Sequence, residues 1–129
     1  MMRAYIFIAI VLMTASSGCS VSVSPEKVYG TYVAAYPFGN ETITLDRDGT
    51  FTQSVAVTGE QPVTVRGRWE FDSKESRANF WGVLLVADGH DHLRSDWRTA
   101  ATGIVSLDVE RHWFRVVMNT SATYPYRKR

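Results

Sequence analysis

The sequence predicts an all-β fold, an antiparallel up-and-down meander of about eight strands that closes as a small barrel. Apolar and polar residues alternate with period two along most of the chain, and short turn-forming stretches separate the runs. This pattern is typical of antiparallel strands with one face in water. Aromatic residues make up 12 % of the 129 residues, and they favour pleated, half-buried surfaces. No segment shows a helical period, and closing the meander removes exposed strand edges.

Residues 1–18 are predicted to be a leader. Arg3 is followed by an unbroken apolar run over residues 4–13, which is shorter than the about 20 residues of a membrane-spanning helix. A charged start, a short apolar run and then small residues are typical of a secretory signal. The alternative is a buried strand or helix at the start of the domain.

Cys19 is the only cysteine, so the chain cannot form an internal disulfide. The surrounding "SSGCS" (16–20) resembles the bacterial lipoprotein signal, with Ser16 where leucine is usual. The resemblance implies acylation of Cys19 and a lipid anchor. Ser20 in place of aspartate implies the outer membrane of a bacterial cell envelope, with the domain facing the periplasm. The alternative is an ordinary cleaved signal that leaves Cys19 as a free thiol or removes it.

A short polar linker is expected over residues 19–27, because this stretch is rich in serine and contains Pro25. The single barrel domain then covers residues 28–129. The formal charge is +1, from 14 basic and 13 acidic residues. Removing Arg3 with the leader leaves 14 − 1 = 13 basic residues and a neutral chain. Nucleic acid is therefore not an expected partner, because its binding needs a basic field.

The strands are bounded by turn residues. They are predicted, in order, over 28–36, 41–45, 50–57, 63–71, 78–87, 104–109, 113–118 and 123–128. The clearest hairpin joins 41–45 to 50–57 through "DRDG" (46–49). Aspartate starts a type I turn, and Gly49 accepts the left-handed backbone that closes it.

The stretch 79–87 ("NFWGVLLVA") differs from the others because both of its faces are apolar. One interpretation is that the long irregular stretch 87–103, with Leu93 and Trp97, folds over its outer face. The other is an exposed apolar patch for a partner or a membrane surface.

Three segments together resemble bacterial lipocalin-like domains: "GTY" (30–32), "ETITLDRDGTF" (41–51) and "GRWEFD" (67–72). The closing "YPYRKR" (124–129) resembles the last strand of some small lipoproteins of unknown role. The resemblance implies a lipocalin-like barrel lipoprotein, with Tyr32 where a lipocalin has tryptophan. It also implies a cation–π contact of a late arginine, Arg115 or Arg127, with Tyr32.

A non-enzymatic binding role is the first functional hypothesis, either for a small apolar ligand in the barrel mouth or for an envelope partner. Large aromatic side chains are the candidate ligand contacts: Tyr32, Trp69, Trp81, Trp97 and Trp113. No catalytic residues and no cofactor are predicted, because the chain has no Gly-x-Ser-x-Gly elbow and no recognisable carboxylate pair.

Two further hypotheses stay open. A protein-interaction or inhibitor-type lipoprotein would use the 87–103 loop and the apolar strand 79–87. A metal-binding or hydrolytic protein would use "GHDH" (89–92), where His90 and His92 flank a carboxylate. A structural zinc site needs four ligands, so a plain polar loop is the favoured interpretation and no metal site is predicted.

Overall fold

The structure, a computed structural model, describes residues 23–129. It contains one short helix and eight strands, in the order α1 (Pro25–Val28), β1 (Gly30–Tyr36), β2 (Gly39–Leu45), β3 (Thr50–Val57), β4 (Val63–Asp72), β5 (Arg77–Trp81), β6 (Ile104–His112), β7 (Arg115–Met118) and β8 (Tyr126–Lys128). Each strand pairs antiparallel with the next, and β8 pairs with β1 to close the barrel. The prediction of an eight-stranded antiparallel barrel is confirmed. The predicted leader and Cys19 lie outside the described residues.

The two ends of the barrel carry different connections. Because the strands alternate in direction, successive connections lie at opposite ends. The α1 end carries α1, the β2–β3, β4–β5 and β6–β7 turns and the residue after β8. The opposite end carries the segment 82–103 between β5 and β6, which we call the lid. Among residues 23–129, no helix combines the length and the hydropathy that crossing a bilayer requires.

The core lies inside the barrel and follows the period-two alternation of the strands. Its buried side chains include Tyr32, Ala34, Ile43, Leu45, Phe51, Trp69, Phe80, Val109 and Met118. Gly67 leaves the space that this packing needs. A Cβ there would lie 2.2 Å from the Trp81 carbonyl oxygen and 2.7 Å from the Phe51 ring. A side chain at this position therefore cannot fit without moving the backbone.

The helix α1 closes one end of the barrel. Val23 and Val28 are buried there, and the Tyr32 hydroxyl donates a 2.6 Å hydrogen bond to the Val28 carbonyl oxygen. The sequence did not predict this helix, because four residues beginning with Pro25 are too few to show a helical period. Residues 23–27, part of the predicted linker, thus lie against the barrel.

The strand predicted over 78–87 ends earlier, at Trp81. Gly82 has a φ of +86°, and the chain leaves the sheet at this glycine. Leu84 then forms an isolated bridge with Ala100, and Ala87 forms one with Leu93. Both faces of this stretch are apolar because it lies across the barrel mouth, where one side meets the interior and the other meets the rest of the lid.

The lid is held by its own apolar cluster. Leu84, Val86 and Trp97 pack with Val55 and Val57, from the inward face of β3. Trp97 is only 3 % exposed. Leu93 and Trp97 therefore cover Leu84 and Val86, as one interpretation of the sequence expected. They do so across the barrel mouth, because the chain has left the sheet at Gly82.

Candidate functional site

Two polar side chains are enclosed in the barrel. Glu41 on β2 and Gln53 on β3 are both 0 % exposed, and no other polar or charged residue among the described residues is classed as buried. In the pairing of these strands, Glu41 lies opposite Val55 and Ile43 lies opposite Gln53. Glu41 and Gln53 are therefore diagonal neighbours on the inward face, within reach of each other.

Gln53 connects the barrel to the lid. Its Oε1 accepts a 2.7 Å hydrogen bond from the Leu84 backbone N–H. Its Nε2 donates to the Leu84 carbonyl oxygen at 3.0 Å and to Glu41 Oε2 at 2.7 Å. The Leu84 main chain therefore fixes which way the Gln53 amide points, and it leaves one N–H directed at the carboxyl group.

Glu41 is surrounded by neutral hydrogen-bond donors. Its Oε1 accepts from the Tyr126 hydroxyl at 2.7 Å and from the Tyr36 hydroxyl. Burial raises the pKa of Glu41, and the hydrogen bonds from Tyr36, Gln53 and Tyr126 oppose that rise. Burial also raises the pKa of both tyrosines, so their hydroxyls stay protonated. The ion pairs found among the described residues do not include Glu41.

A cavity of about 130 Å³ lies under the lid beside this network. Tyr36 and Tyr126 form part of its wall, and Tyr124 and the inward side chains of β6, Val105 and Leu107, form another part. The lid contributes the stretch Val83–Asp88 and Asp91. An apolar cavity of roughly 150 Å³ accommodates one benzene molecule, so this space fits a ligand of about that size.

Two carboxylates lie at the rim of the cavity. Asp88 accepts the backbone N–H groups of His90 and His92 at 2.8 and 2.9 Å, and these bonds lower its pKa. Asp91 Oδ2 accepts from the Thr123 hydroxyl at 2.8 Å, which connects the lid to the β7–β8 loop. The rim is therefore acidic, while the walls below it are apolar and phenolic.

The five aromatic residues proposed from the sequence are not gathered into one site. Tyr32 and Trp69 are buried near the α1 end, where Trp69 Nε1 donates to the Asp46 carbonyl oxygen at 3.0 Å. Trp81 ends β5, Trp97 lies in the lid, and Trp113 is in the β6–β7 turn. None of the five lines the cavity under the lid.

Tyr32 does not have the expected arginine partner. The cation–π contacts among the described residues join Arg47 to Tyr29, Arg68 to Trp81 and Arg98 to Trp97. Alternation along β8 explains why Arg127 does not contact Tyr32. Tyr126 points into the barrel, as Tyr32 does, so the next residue, Arg127, points outward and is exposed.

The histidines of "GHDH" lie in the lid and are exposed. His92 Nδ1 is 3.9 Å from the Asp88 carboxylate, which it shares with the backbone of the turn. Within residues 23–129, no group of three or more His, Cys, Asp or Glu side chains is arranged to hold a metal ion.

Sequence reasoning missed Glu41, Gln53, Tyr36 and Tyr126 as a group. A signal was present, because Glu41 shares one face of a predicted strand with the apolar Ile43 and Leu45. A carboxylate on an apolar face indicates burial, and a buried carboxylate indicates a candidate functional site.

Comparisons with known proteins found no relative of this chain. The chain matches no protein family model, no curated protein and no solved structure. Because a fold alone does not specify a function, the function has to be argued from the site.

Proposed function

We propose that this protein is a lipid-anchored lipoprotein of the bacterial envelope that binds a small, mainly apolar molecule in the cavity under its lid. The supporting observation is that the cavity of about 130 Å³ is bordered by Tyr36 and Tyr126, whose hydroxyls donate to the buried Glu41. Enclosing a carboxyl group without a basic partner costs stability. Proteins keep such costly groups mainly at functional sites.

The cavity lining supports a specific ligand chemistry. The walls are mostly apolar. The polar side chains are the phenols of Tyr36, Tyr124 and Tyr126, the amide of Asn119 and the rim carboxylates of Asp88 and Asp91. Within the part of the chain that the structure describes, no arginine, lysine or histidine lines the cavity. A ligand with an apolar body of about benzene size and an amino or hydroxyl group therefore fits better than an anion.

The proposed role is binding rather than catalysis. Among the described residues, no serine, cysteine or histidine of the common nucleophile–base pairs lines the cavity. The rim carboxylates are engaged in the loops, Asp88 by the backbone N–H groups of His90 and His92 and Asp91 by the Thr123 hydroxyl. The interaction-type alternative has less support, because the apolar side chains it would use, Leu84, Val86 and Trp97, are buried against the barrel.

Ligand binding can be tested with three probes of similar shape: benzylamine, benzyl alcohol and benzoate. We expect the amine and the alcohol to shift the amide NMR signals of Leu84 and Asn119, which line the cavity, and we expect benzoate to have no effect. Ala122→Phe fills the cavity from its wall and should abolish these shifts. Ala35→Phe, on the exposed face of β1, is the matched control and should retain them. Equal shifts in both variants, or none in the wild type, would contradict the proposal.

The lipid anchor is a separate part of the proposal and rests on the resemblance of "SSGCS" around Cys19. Intact-mass measurement of protein gently extracted from bacterial membranes should show a chain that begins at Cys19 and carries acyl groups. The same spectrum reports a retained small molecule. Cys19→Ser is the control and should remove the acyl mass. An unmodified Cys19 in the membrane fraction would overturn the anchor and leave the cavity proposal to its own test.

A further inference from the structure

The β6–β7 turn exposes two large aromatic side chains. Trp113 is 90 % exposed and Phe114 is 100 % exposed. Trp113 also has a φ of +60°, a backbone region in which a bulky residue is uncommon and glycine or asparagine is usual. Neither the packing of the barrel nor the geometry of the turn therefore explains these two residues.

A groove beside this turn combines the aromatic rings with positive charge. It is lined by Trp113, Phe114, Val117, His112, Arg115 and Arg127. Among residues 23–129, no acidic side chain lines this groove, and the adjacent Glu110 is paired with His112 at 3.0 Å. Arg115 and Arg127 have no described ion-pair partner. Exposed aromatic rings next to arginines are typical of surfaces that meet lipid head groups.

The position of the turn fits the same partner. The turn lies at the α1 end, where Val23 is buried. Cys19 precedes Val23 by four residues, and four extended residues span at most about 14 Å. A membrane that holds an acylated Cys19 would therefore lie next to this end, while the cavity under the lid would face away from it.

We infer that the α1 end rests on an anionic phospholipid surface. Trp113 and Phe114 enter the interface, and Arg115 and Arg127 contact lipid phosphates. This inference rests on the proposed envelope location, and it adds a second membrane contact that does not require the acyl chain.

Tryptophan fluorescence gives a direct test. The full-length protein is reconstituted into vesicles of phosphatidylcholine, alone or mixed with phosphatidylglycerol, with brominated acyl chains as the quencher. Trp69 and Trp97 are buried and Trp81 is partly covered by Arg68, so Trp113 is the tryptophan that bromine can reach. We expect quenching that increases with phosphatidylglycerol, falls with salt, and disappears in Trp113→Phe.

Charge variants separate lipid contact from simple exposure. Arg115→Glu and Arg127→Glu should each weaken insertion about thirtyfold, since one charge near an anionic surface contributes about fivefold and each substitution replaces an attraction by a repulsion. Arg66→Glu, an exposed arginine on β4 outside the groove, is the matched control and should leave the quenching unchanged.

Three outcomes would overturn the inference. The first is no quenching in anionic vesicles, and the second is quenching that persists in Trp113→Phe. The third is self-association through Trp113, seen as crosslinked dimers without quenching. The acyl mass on Cys19, measured on the same sample, keeps the two proposals distinct. Acylated protein with unquenched Trp113 overturns only the surface contact, whereas quenched Trp113 with an unmodified Cys19 supports the contact and overturns the anchor.

Discussion

At the scale of single residues, Glu41 is subject to opposing effects. Burial favours its neutral form, and hydrogen bonds from Tyr36, Gln53 and Tyr126 favour the charged form. The Leu84 main chain fixes the Gln53 amide, so Glu41 Oε2 must remain an acceptor. A proton on Glu41 therefore resides on Oε1, where either tyrosine hydroxyl can rotate to accept it.

The first prediction concerns the pH dependence of stability. The pKa of Glu41 in the folded protein lies above its ordinary value of 4.5. The folded state thus binds this proton more tightly than the unfolded state does. The contribution of Glu41 to stability is fully present below pH 4.5, and it is lost as pH rises through the folded pKa.

Glu41→Gln should remove this dependence, because its amide nitrogen can face the two tyrosines while its oxygen still accepts from Gln53. Urea unfolding between about pH 4 and about pH 8 measures the free energy of unfolding of both proteins. The wild type should lose stability relative to the variant by about 1.4 kcal/mol per unit of pKa elevation. If the free energies of unfolding of the two proteins changed with pH in the same way, Glu41 would bind its proton equally well in the folded and unfolded states. That result would contradict the prediction.

The sequence revealed only part of this residue-level arrangement. Period-two alternation puts Gln53 on the same strand face as Phe51 and Val55, and all three side chains are buried. It cannot show which side chains meet across the interior. Tyr126 is 85 positions from Glu41, and the two come together only when the barrel closes.

At the scale of elements, the sequence predicted the "DRDG" turn correctly and the start of the lid incorrectly. The turn is confirmed, because Gly49 has a φ of +85° and donates its N–H to the Asp46 carbonyl oxygen at 3.2 Å. The end of β5 was predicted wrongly. Apolar alternation continues past Gly82, but the backbone of Leu84 bonds to the Gln53 side chain rather than to a neighbouring strand. Apolar alternation shows which side chains are buried, but it does not show which groups the backbone forms hydrogen bonds with.

The second prediction tests the connection between lid and barrel. Gln53→Leu keeps an inward side chain of similar size, but it removes the acceptor of the Leu84 N–H and a donor to Glu41. We expect faster hydrogen exchange of the Leu84 amide and a loss of about 2 kcal/mol in the free energy of unfolding. The neighbouring Ser54→Ala removes only an exposed hydroxyl contact with Thr64 and serves as the control. Unchanged exchange at Leu84 would mean that apolar packing alone holds the lid.

At the scale of the whole molecule, barrel closure depends on the shortest strand. β8 has three residues, yet it pairs with β7 on one side and β1 on the other. The sequence predicted this closure correctly, because consecutive strands with short turns form a meander and an open meander exposes two edges. β8 begins at Tyr126, later than the predicted 123, because residues 120–123 form part of the turn after Asn119.

The third prediction follows from that closure. A chain that stops after Pro125 lacks β8, exposes the edges of β1 and β7, and deprives Glu41 of the Tyr126 hydroxyl. We expect it to self-associate, as measured by size-exclusion chromatography with light scattering. Arg127→Ala changes an exposed side chain and keeps the strand, so it should remain in the same state as the wild type. A monomeric, folded truncation would show that seven strands suffice.

The pairing of β8 with β1 also governs how the barrel can fold. Tyr32 and Lys128 are partners in the finished sheet although 128 − 32 = 96 positions separate them, so this pairing forms against a large loop-closure entropy. Hairpins between neighbouring strands can form early, but the cylinder cannot be sealed until β8 meets β1. A partly folded chain therefore keeps an open seam along which it can pair with a second chain.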